Sequence, residues 1–296
     1  MYRDPLFKKF EVRPLTGALG AEVVGINLQT ADESTLAEFM NAFHSYHVLA
    51  VREQNLSPLT YRNVASRFGV FGDNPVHASM DGVDNIVRFV REPEDTGVVI
   101  GENWHMDLAW LPKPPGITML YGEVVPPYGG DTCFSSLEQA YKMLSPTMKS
   151  MLAGLTGIYS GKGVYAINAQ TKRLALQKEE KRVEEIETAH PLICQHPVTG
   201  CPYVMVNSVL NRFHGMTEAE SKPIIDYLMS IATRPEFNCR LRWEEGTLGM
   251  WNNPVVLHTA INDYPGYRRV MYRTTIEGWV PQAAEPARIV AANQAA

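Results

Sequence analysis

Cysteine is scarce in this chain: four in 296 residues, at Cys133, Cys194, Cys201 and Cys239. None forms a C-x-x-C pair, so zinc-ribbon and dithiol redox motifs are unsupported, and reduced thiols in a cytoplasmic protein are the expectation. No run approaches the roughly 18 apolar residues that a membrane helix needs. The opening MYRDPLFKKF has no apolar core and no small-residue cleavage site, so no secretory signal is expected there. Basic runs are missing too. The 27 Lys and Arg are outnumbered by 32 Asp and Glu, for a net charge of −5, which argues against nucleic acid as the main partner. Neither G-x-G-x-x-G nor G-x-x-x-x-G-K-[ST] occurs, so those phosphate cradles are excluded.

What is present is ordinary globular composition, 45% hydrophobic and 20% charged. A chain of this length buries a large core without staples, which excludes disordered, collagen-like and disulfide-dense classes. Residues 22–28 (EVVGINL) read as a strand. Residues 33–46 read as a helix, with Leu36, Phe39, Met40 and Phe43 at helical spacing. HVLAVRE reads as a short buried strand. Ser57 caps a helix running toward Phe68, ended by Gly69. NIVRFVR, TMLYGEVV and DTCFSS are extended, and helices follow at about 136–144 and 146–154. TKRLALQKEEKRVEEIE is dense in both charges and reads as a solvated helix, a loop or a lid-like insertion at about 160–187. HPVTGCPYVMV reads as a hairpin. Thr217 and Glu220 form a capping box for a helix through about Ala232. FNCRLRW, TLGMW and RRVMYRTTIEGW then alternate as strands. These elements predict a mainly β protein with flanking helices, of sandwich or jelly-roll type, in a single domain over 1–296. The Ala-rich segment at about 282–296 reads as a flexible tail.

The chemistry begins at Trp104-His105-Met106-Asp107. In extended backbone, His105 and Asp107 share a face and can meet one cation. A second histidine would complete a 2-His-1-carboxylate triad, the pattern of non-haem Fe(II) oxygenases. His44, His47, His190, His196, His214 and His258 are the candidates. Arginines beyond His258 favour it: Arg269 and Arg273 fall on one face of an alternating strand, about 13 Å apart at about 3.3 Å per residue. Two arginines facing inward are costly unless they meet anions, and their planar forks suit carboxylates or sulfonates.

Taken in order, NWHMD, PPGITMLYGEVVPPYGGDTCFSS, HPVTG, RPEFNCRLRW, MWNNPVVLHTAINDY and YRRVMYRTTIEG resemble the TauD/TfdA family of Fe(II)- and 2-oxoglutarate-dependent dioxygenases. The resemblance covers nearly the whole chain and implies the double-stranded β-helix, a jelly-roll variant. It implies Fe(II) as cofactor, with 2-oxoglutarate and O2 as cosubstrates. His105, Asp107 and His258 would bind the metal. Thr132 and Arg269 would hold a carboxylate of 2-oxoglutarate, and Trp251 would pack beside the metal. Arg273 would lie near the substrate's anion and, in some relatives, near 2-oxoglutarate too.

The implied reaction is hydroxylation of a C–H in a small anionic substrate, with release of succinate and CO2. Within the family the chain looks most like the aryloxyalkanoate (phenoxypropionate) dioxygenases. It departs from the common pattern at Met106, between the two ligands, and at Trp110, three residues after the aspartate. Both would enlarge and de-polarise the substrate wall. Gly101 replaces the polar residue of taurine-specific members, and His77 corresponds to a sulfonate-contacting histidine. Relatives are often dimers or tetramers, which makes a homo-oligomer the expectation. Two rival readings predict other outcomes: a biosynthetic oxygenase acting on an amino acid or natural-product intermediate, and a non-catalytic metal-binding jelly-roll sensor.

Overall fold

The computed structural model describes residues 2–162, 174–175 and 187–284. Most of the expected lid-like insertion, and the tail beyond Ala284, lie outside the described residues. Fifteen strands are described: β1 Glu11–Pro14, β2 Ala21–Val24, β3 Val48–Val51, β4 Val87–Arg91, β5 Ile117–Val124, β6 Thr132–Ser136, β7 Thr156–Ser160, β8 Glu187–Pro191, β9 Ile193–Gln195, β10 Pro202–Val204, β11 Leu210–Phe213, β12 Asn238–Leu241, β13 Leu248–Asn252, β14 Val256–Ala260 and β15 Arg269–Ile276. The helices are α1 Glu33–Tyr46, α2 Pro58–Ala65, α3 Leu137–Met143, α4 Pro146–Leu152 and α5 Glu218–Ala232.

The helix ends follow their caps. Asp32 accepts from the Thr35 N–H at 2.7 Å to start α1, and Ser57 starts α2 in the same way. The capping box of Thr217 and Glu220 opens α5 as expected. The expected strand over 22–28 stops at Val24, because Gly25 turns to φ +83°. The expected tail at about 282–296 overlaps the described residues only at 282–284. Ala283 bridges to Cys194 and Ala284 is buried, so those residues are pinned to the sheet.

The large sheet runs β1-β2-β3-β13-β5-β15-β4, and a smaller one runs β12-β6-β14. Alternation gives the large sheet two working faces. Leu49, Met119, Tyr121, Met250 and Tyr272 turn toward Phe39 and Phe43 of α1 and Tyr61 of α2, forming one core. Val48, Trp251 and Met271 turn the other way, to a second core with Phe134, Leu241, Val256 and Leu257 of the small sheet. Residues of α3, α4 and α5 pack into this second core, so helices clad both sides of the pair of sheets, which is the mainly β jelly roll expected from the strand pattern. Arg269 and Arg273 are on the inner face, in phase with Met271. The four cysteines are free thiols. No described helix is long and apolar enough to cross a membrane.

Candidate metal centre and flanking cavities

His258 is on β14, directly opposite Phe134 of β6. The segment carrying His105 is zipped onto the edge of β14. The Ala260 N–H donates to the Gly101 carbonyl at 2.8 Å, and His105 and His258 exchange backbone hydrogen bonds at 3.0 and 2.9 Å. Extension is confined to this bridge at His105, whereas Asp107 opens a turn in which Leu108 takes φ +50°. A left-handed leucine is strained and needs the surroundings to hold it. Asn253 does so: its Oδ1 accepts from the Asp107 N–H at 2.8 Å, and its Nδ2 donates to the carbonyls of Asp107 and Pro115.

The three side chains converge. His105 Nε2 and His258 Nε2 each lie 3.7 Å from a carboxylate oxygen of Asp107, and all three donor atoms fall within 4.8 Å of one another. Their protonation suits a metal. His105 Nδ1 lies 2.6 Å from the Asn103 carbonyl, which only accepts, so Nδ1 carries the proton and Nε2 offers a lone pair. Burial, with help from His105 and Arg273, holds His258 well below the usual histidine range and keeps it neutral. Burial pushes the Asp107 carboxyl up, but Arg273, His258 and His105 outweigh it and hold the group well below the usual range. Thr118 of β5 donates to Asp107 Oδ2 at 2.8 Å. Two imidazoles and one carboxylate on one side of a cavity fit Fe(II) with open positions.

Two cavities meet at these ligands and share Gly101, His105, Asp107 and Arg273 in their walls. The first, about 100 Å³, is lined by Thr132, Trp251, Tyr264, Arg269 and Arg91. Trp251 packs against His258 with ring centres 4.8 Å apart. The Thr132 hydroxyl accepts from Trp243 Nε1 at 3.0 Å, which leaves its own proton to donate. Arg269 Nη2 donates to the Gly130 carbonyl at 3.2 Å, while its Nε is buried with no hydrogen-bond partner. Arg91, opposite Arg269 in the strand register, lies over the same Tyr264 ring at 4.7 Å. A buried, unpartnered guanidinium donor beside a free hydroxyl proton fits the carboxylate of a 2-oxo acid.

The second cavity, about 520 Å³, has Arg273, His77 and Asp107 together with Met106, Trp110 and Val99. Arg273 Nη2 sits 2.7 Å from Asp107 Oδ1 as a close ion contact without hydrogen-bond alignment. His77 stacks edge-on against Phe89 at 5.3 Å, and both of its ring nitrogens are buried without partners. Burial, then Arg273, depress its pKa to about 3, so the ring is neutral. A third, polar cavity of about 240 Å³ touches the far side of His77 and Arg273, at Asn74, Ser79 and Asn85.

Each residue to which the family resemblance gives a role therefore faces one of two adjoining spaces: His105, Asp107 and Arg273 line both, His258, Thr132, Trp251 and Arg269 line the smaller, and Met106, Trp110 and His77 line the larger. His44, His47 and His196 instead gather elsewhere, around Asn252 and Trp279, while His190 bonds the Leu111 carbonyl. Thr118, Asn253, Trp243, Tyr264 and Arg91 were not anticipated. Thr118, Trp243, Asn253 and Tyr264 belong to segments already notable for family likeness, but most of their partners are remote in sequence.

A mainly β jelly roll with a 2-His-1-carboxylate cluster between its sheets defines a non-haem iron oxygenase. The profile of the family described as "Taurine catabolism dioxygenase TauD, TfdA family" matches residues 11–275. The chain belongs to that family, and it is a 2-oxoglutarate-dependent dioxygenase. It is similar to an alkylsulfatase of Acinetobacter baylyi, 30% identical over 282 residues that cover 94% of this chain and 88% of that one. It is similar to an (S)-phenoxypropionate/alpha-ketoglutarate-dioxygenase of Sphingobium herbicidovorans, 25% identical and covering 91% and 95% of the two chains. The crystal structure of a taurine dioxygenase from Burkholderia xenovorans superposes with a TM-score of 0.79 at 29% identity, covering 96% of this chain and 99% of that one.

Proposed function

We propose that His105, Asp107 and His258 hold Fe(II), that the smaller cavity holds 2-oxoglutarate and that the larger one holds a small organic oxyanion. The bound iron and 2-oxo acid supply O2 activation and the oxidising power for C–H hydroxylation, with succinate and CO2 as coproducts. The chain's residues do the rest. Arg269 pairs with the far carboxylate of 2-oxoglutarate, and the Thr132 hydroxyl donates to it. Together they fix one pose. Trp251 and Phe134 pack around His258 and keep water from its ring. Thr118 and Asn253 hold Asp107 in place. Arg273 and His77 orient the substrate's anionic end, and Met106 and Trp110 shape the wall beside the bond to be oxidised.

The observation that carries this reading is the common junction: His105 and Asp107 line both a cavity with an unpartnered buried arginine nitrogen, which His258 also lines, and a larger one that Arg273 shares. A sulfate ester, sulfonate or aryloxyalkanoate each presents an oxyanion that Arg273 can pair. Hydroxylation of a carbon that bears an ester or ether oxygen gives a product that breaks into a carbonyl compound and a leaving group. The same reading makes the protein a cytoplasmic homo-oligomer, a dimer or tetramer, with neither nucleic acid nor membrane as partner. Sedimentation velocity checks the assembly.

The first test is anaerobic titration with Fe(II) and 2-oxoglutarate, following the visible charge-transfer band of the chelate. A saturable band that is lost in His105→Ala supports the assignment. Tight metal binding with no band would instead favour a metal-binding jelly roll without oxygenase activity.

A further inference from the structure

We infer that Arg91 is a second cationic contact for the far carboxylate of 2-oxoglutarate, set beside Arg269 by the strand register, and that it makes the smaller cavity selective for 2-oxo acids with a charged far end. This inference rests on the proposed function and adds a residue to its cosubstrate site.

The register brings the two side chains together. Arg91 of β4 stands directly opposite Arg269 of β15, and both line the smaller cavity. Directly opposed residues in an antiparallel pair have Cβ atoms about 4.5–5.5 Å apart, and like charges there repel. Both guanidiniums also lie over one ring, that of Tyr264, at 4.7 and 5.8 Å from its centre. Water does little to screen them, since Arg91 is 8% exposed and Arg269 Nε is buried.

The charges in this wall are not balanced. Arg91 donates to Asn262 Oδ1 and, at 3.3 Å, to the Asp95 carbonyl, and both acceptors are neutral. Arg269 donates to the Gly130 carbonyl, also neutral. Asp131 is a carboxylate whose field reaches Arg269, but its Oδ2 is already paired with Arg240 Nε at 2.6 Å. Burial first, and Arg91 as a lesser cause, pull the Arg269 pKa down even though Tyr264 and Asp131 oppose them. Two like charges facing one buried space are costly unless an anion joins them.

Asn262 fixes the pose of Arg91. Its Nδ2 donates to the Gly97 carbonyl at 2.9 Å and to Glu102 Oε2 at 3.3 Å, which turns Oδ1 toward the guanidinium. A carboxylate in place of that amide would neutralise Arg91 from within the protein. The amide instead orients the guanidinium and leaves its charge for a ligand. One carboxylate answers the site, because its two oxygens can accept from both guanidiniums and from the Thr132 hydroxyl. The competing explanation is a scaffold arginine that ties residues 95 and 262 to the strand. The two roles differ in how a variant treats ligands of different charge.

The test uses the full-length protein loaded anaerobically with Fe(II). Calorimetry and the chelate band follow titration with 2-oxoglutarate and with 2-oxovalerate, which carries a methyl group in place of the far carboxylate. Arg91→Gln should weaken 2-oxoglutarate about tenfold, the loss of one hydrogen bond to a charged group, and leave 2-oxovalerate nearly unchanged. Arg91→Met keeps the stem over Tyr264 and should do the same, which covers failure of Arg91→Gln to fold. Arg91→Lys keeps the charge and should hold 2-oxoglutarate within about threefold of wild type. Equal weakening of both acids, or unchanged 2-oxoglutarate affinity in Arg91→Gln and Arg91→Met, would overturn the inference while the wild-type band leaves the dioxygenase assignment standing. Wild-type protein that binds neither acid, by heat or by band, would sink both.

Discussion

The two cavities that meet at the metal ligands are built from different material. The smaller one draws on strands: Thr132 from β6, Trp251 from β13, His258 and Ala260 from β14, Arg269 and Arg273 from β15. The larger one draws mainly on connections, at residues 76–77, 98–110 and 208–209. Strand residues have both backbone neighbours and side-chain phase imposed by the sheet, so their geometry is over-determined. Loop residues are set by a few side-chain bonds, such as those of Asn253 to the Asp107 turn. A family can thus keep one reaction on the sheets while it varies the substrate through loops.

The sharpest way to break this contrast is at the junction itself. Asp107→Ala or His258→Ala should abolish succinate release and Fe(II) retention without unfolding the protein, checked by anaerobic metal titration and circular dichroism. Retained turnover would show that the cluster is not the metal site.

The next effect should be confined to the strand-built side. Arg269→Ala removes one partner of a buried charge pair, a loss of about 2–5 kcal/mol, so half-saturation by 2-oxoglutarate should rise about 30-fold or more. Arg273→Ala should mainly impair the substrate. Equal loss of 2-oxoglutarate affinity in both variants would erase the division between the cavities.

Gly101 lies on the shared wall and is expected to report on both sides. Its φ is +83°, and a Cβ there would meet His105 Cε1 at 3.1 Å. Gly101→Ala should cost about 1–3 kcal/mol of stability through backbone strain. It should also weaken Fe(II) retention by crowding His105. Thermal melts and metal titration of the same preparation test the two effects.

The smallest effect separates buried histidines by pH. Burial lowers His196 to about 4 and His77 to about 3, against an ordinary 6.5. The unfolded chain then binds more protons than the folded one between those values, so stability is present above 6.5 and lost as pH falls through that window. At pH 5 each such histidine costs about 2 kcal/mol. His196→Gln should flatten the fall of melting temperature between pH 7 and 5. An unchanged slope would mean that His196 is already protonated when folded.

Legibility in the sequence followed the range of the interaction. Helix α1 is readable over 33–46 because its apolar spacing is local, and the Asp32 cap seen in the structure agrees with that start. The strand at residue 22 was read too long, because the pattern continues through Gly25 although the backbone does not. His105, Asp107, His258, Thr132 and the two arginines were readable because motifs carry them. Their supports were not: Thr118 reaches Asp107 across 11 residues, Trp243 reaches Thr132 across 111, and Asn253 reaches Asp107 across 146. No short-range pattern encodes those distances. Nor does any pattern show that His77 borders two cavities with both ring nitrogens unpaired.

Strand β15 faces two ways, with Arg269 and Arg273 toward the chemistry and Val270, Tyr272 and Ile276 toward the helices. A one-residue insertion or deletion would exchange the two sets at a stroke, putting guanidinium groups among phenylalanines and leaving the cavities without cations. Lineages carrying this strand can therefore diversify it by substitution but scarcely by length. Length changes fall to the connections, where an added residue alters which molecule is admitted and leaves the oxidising centre as it was.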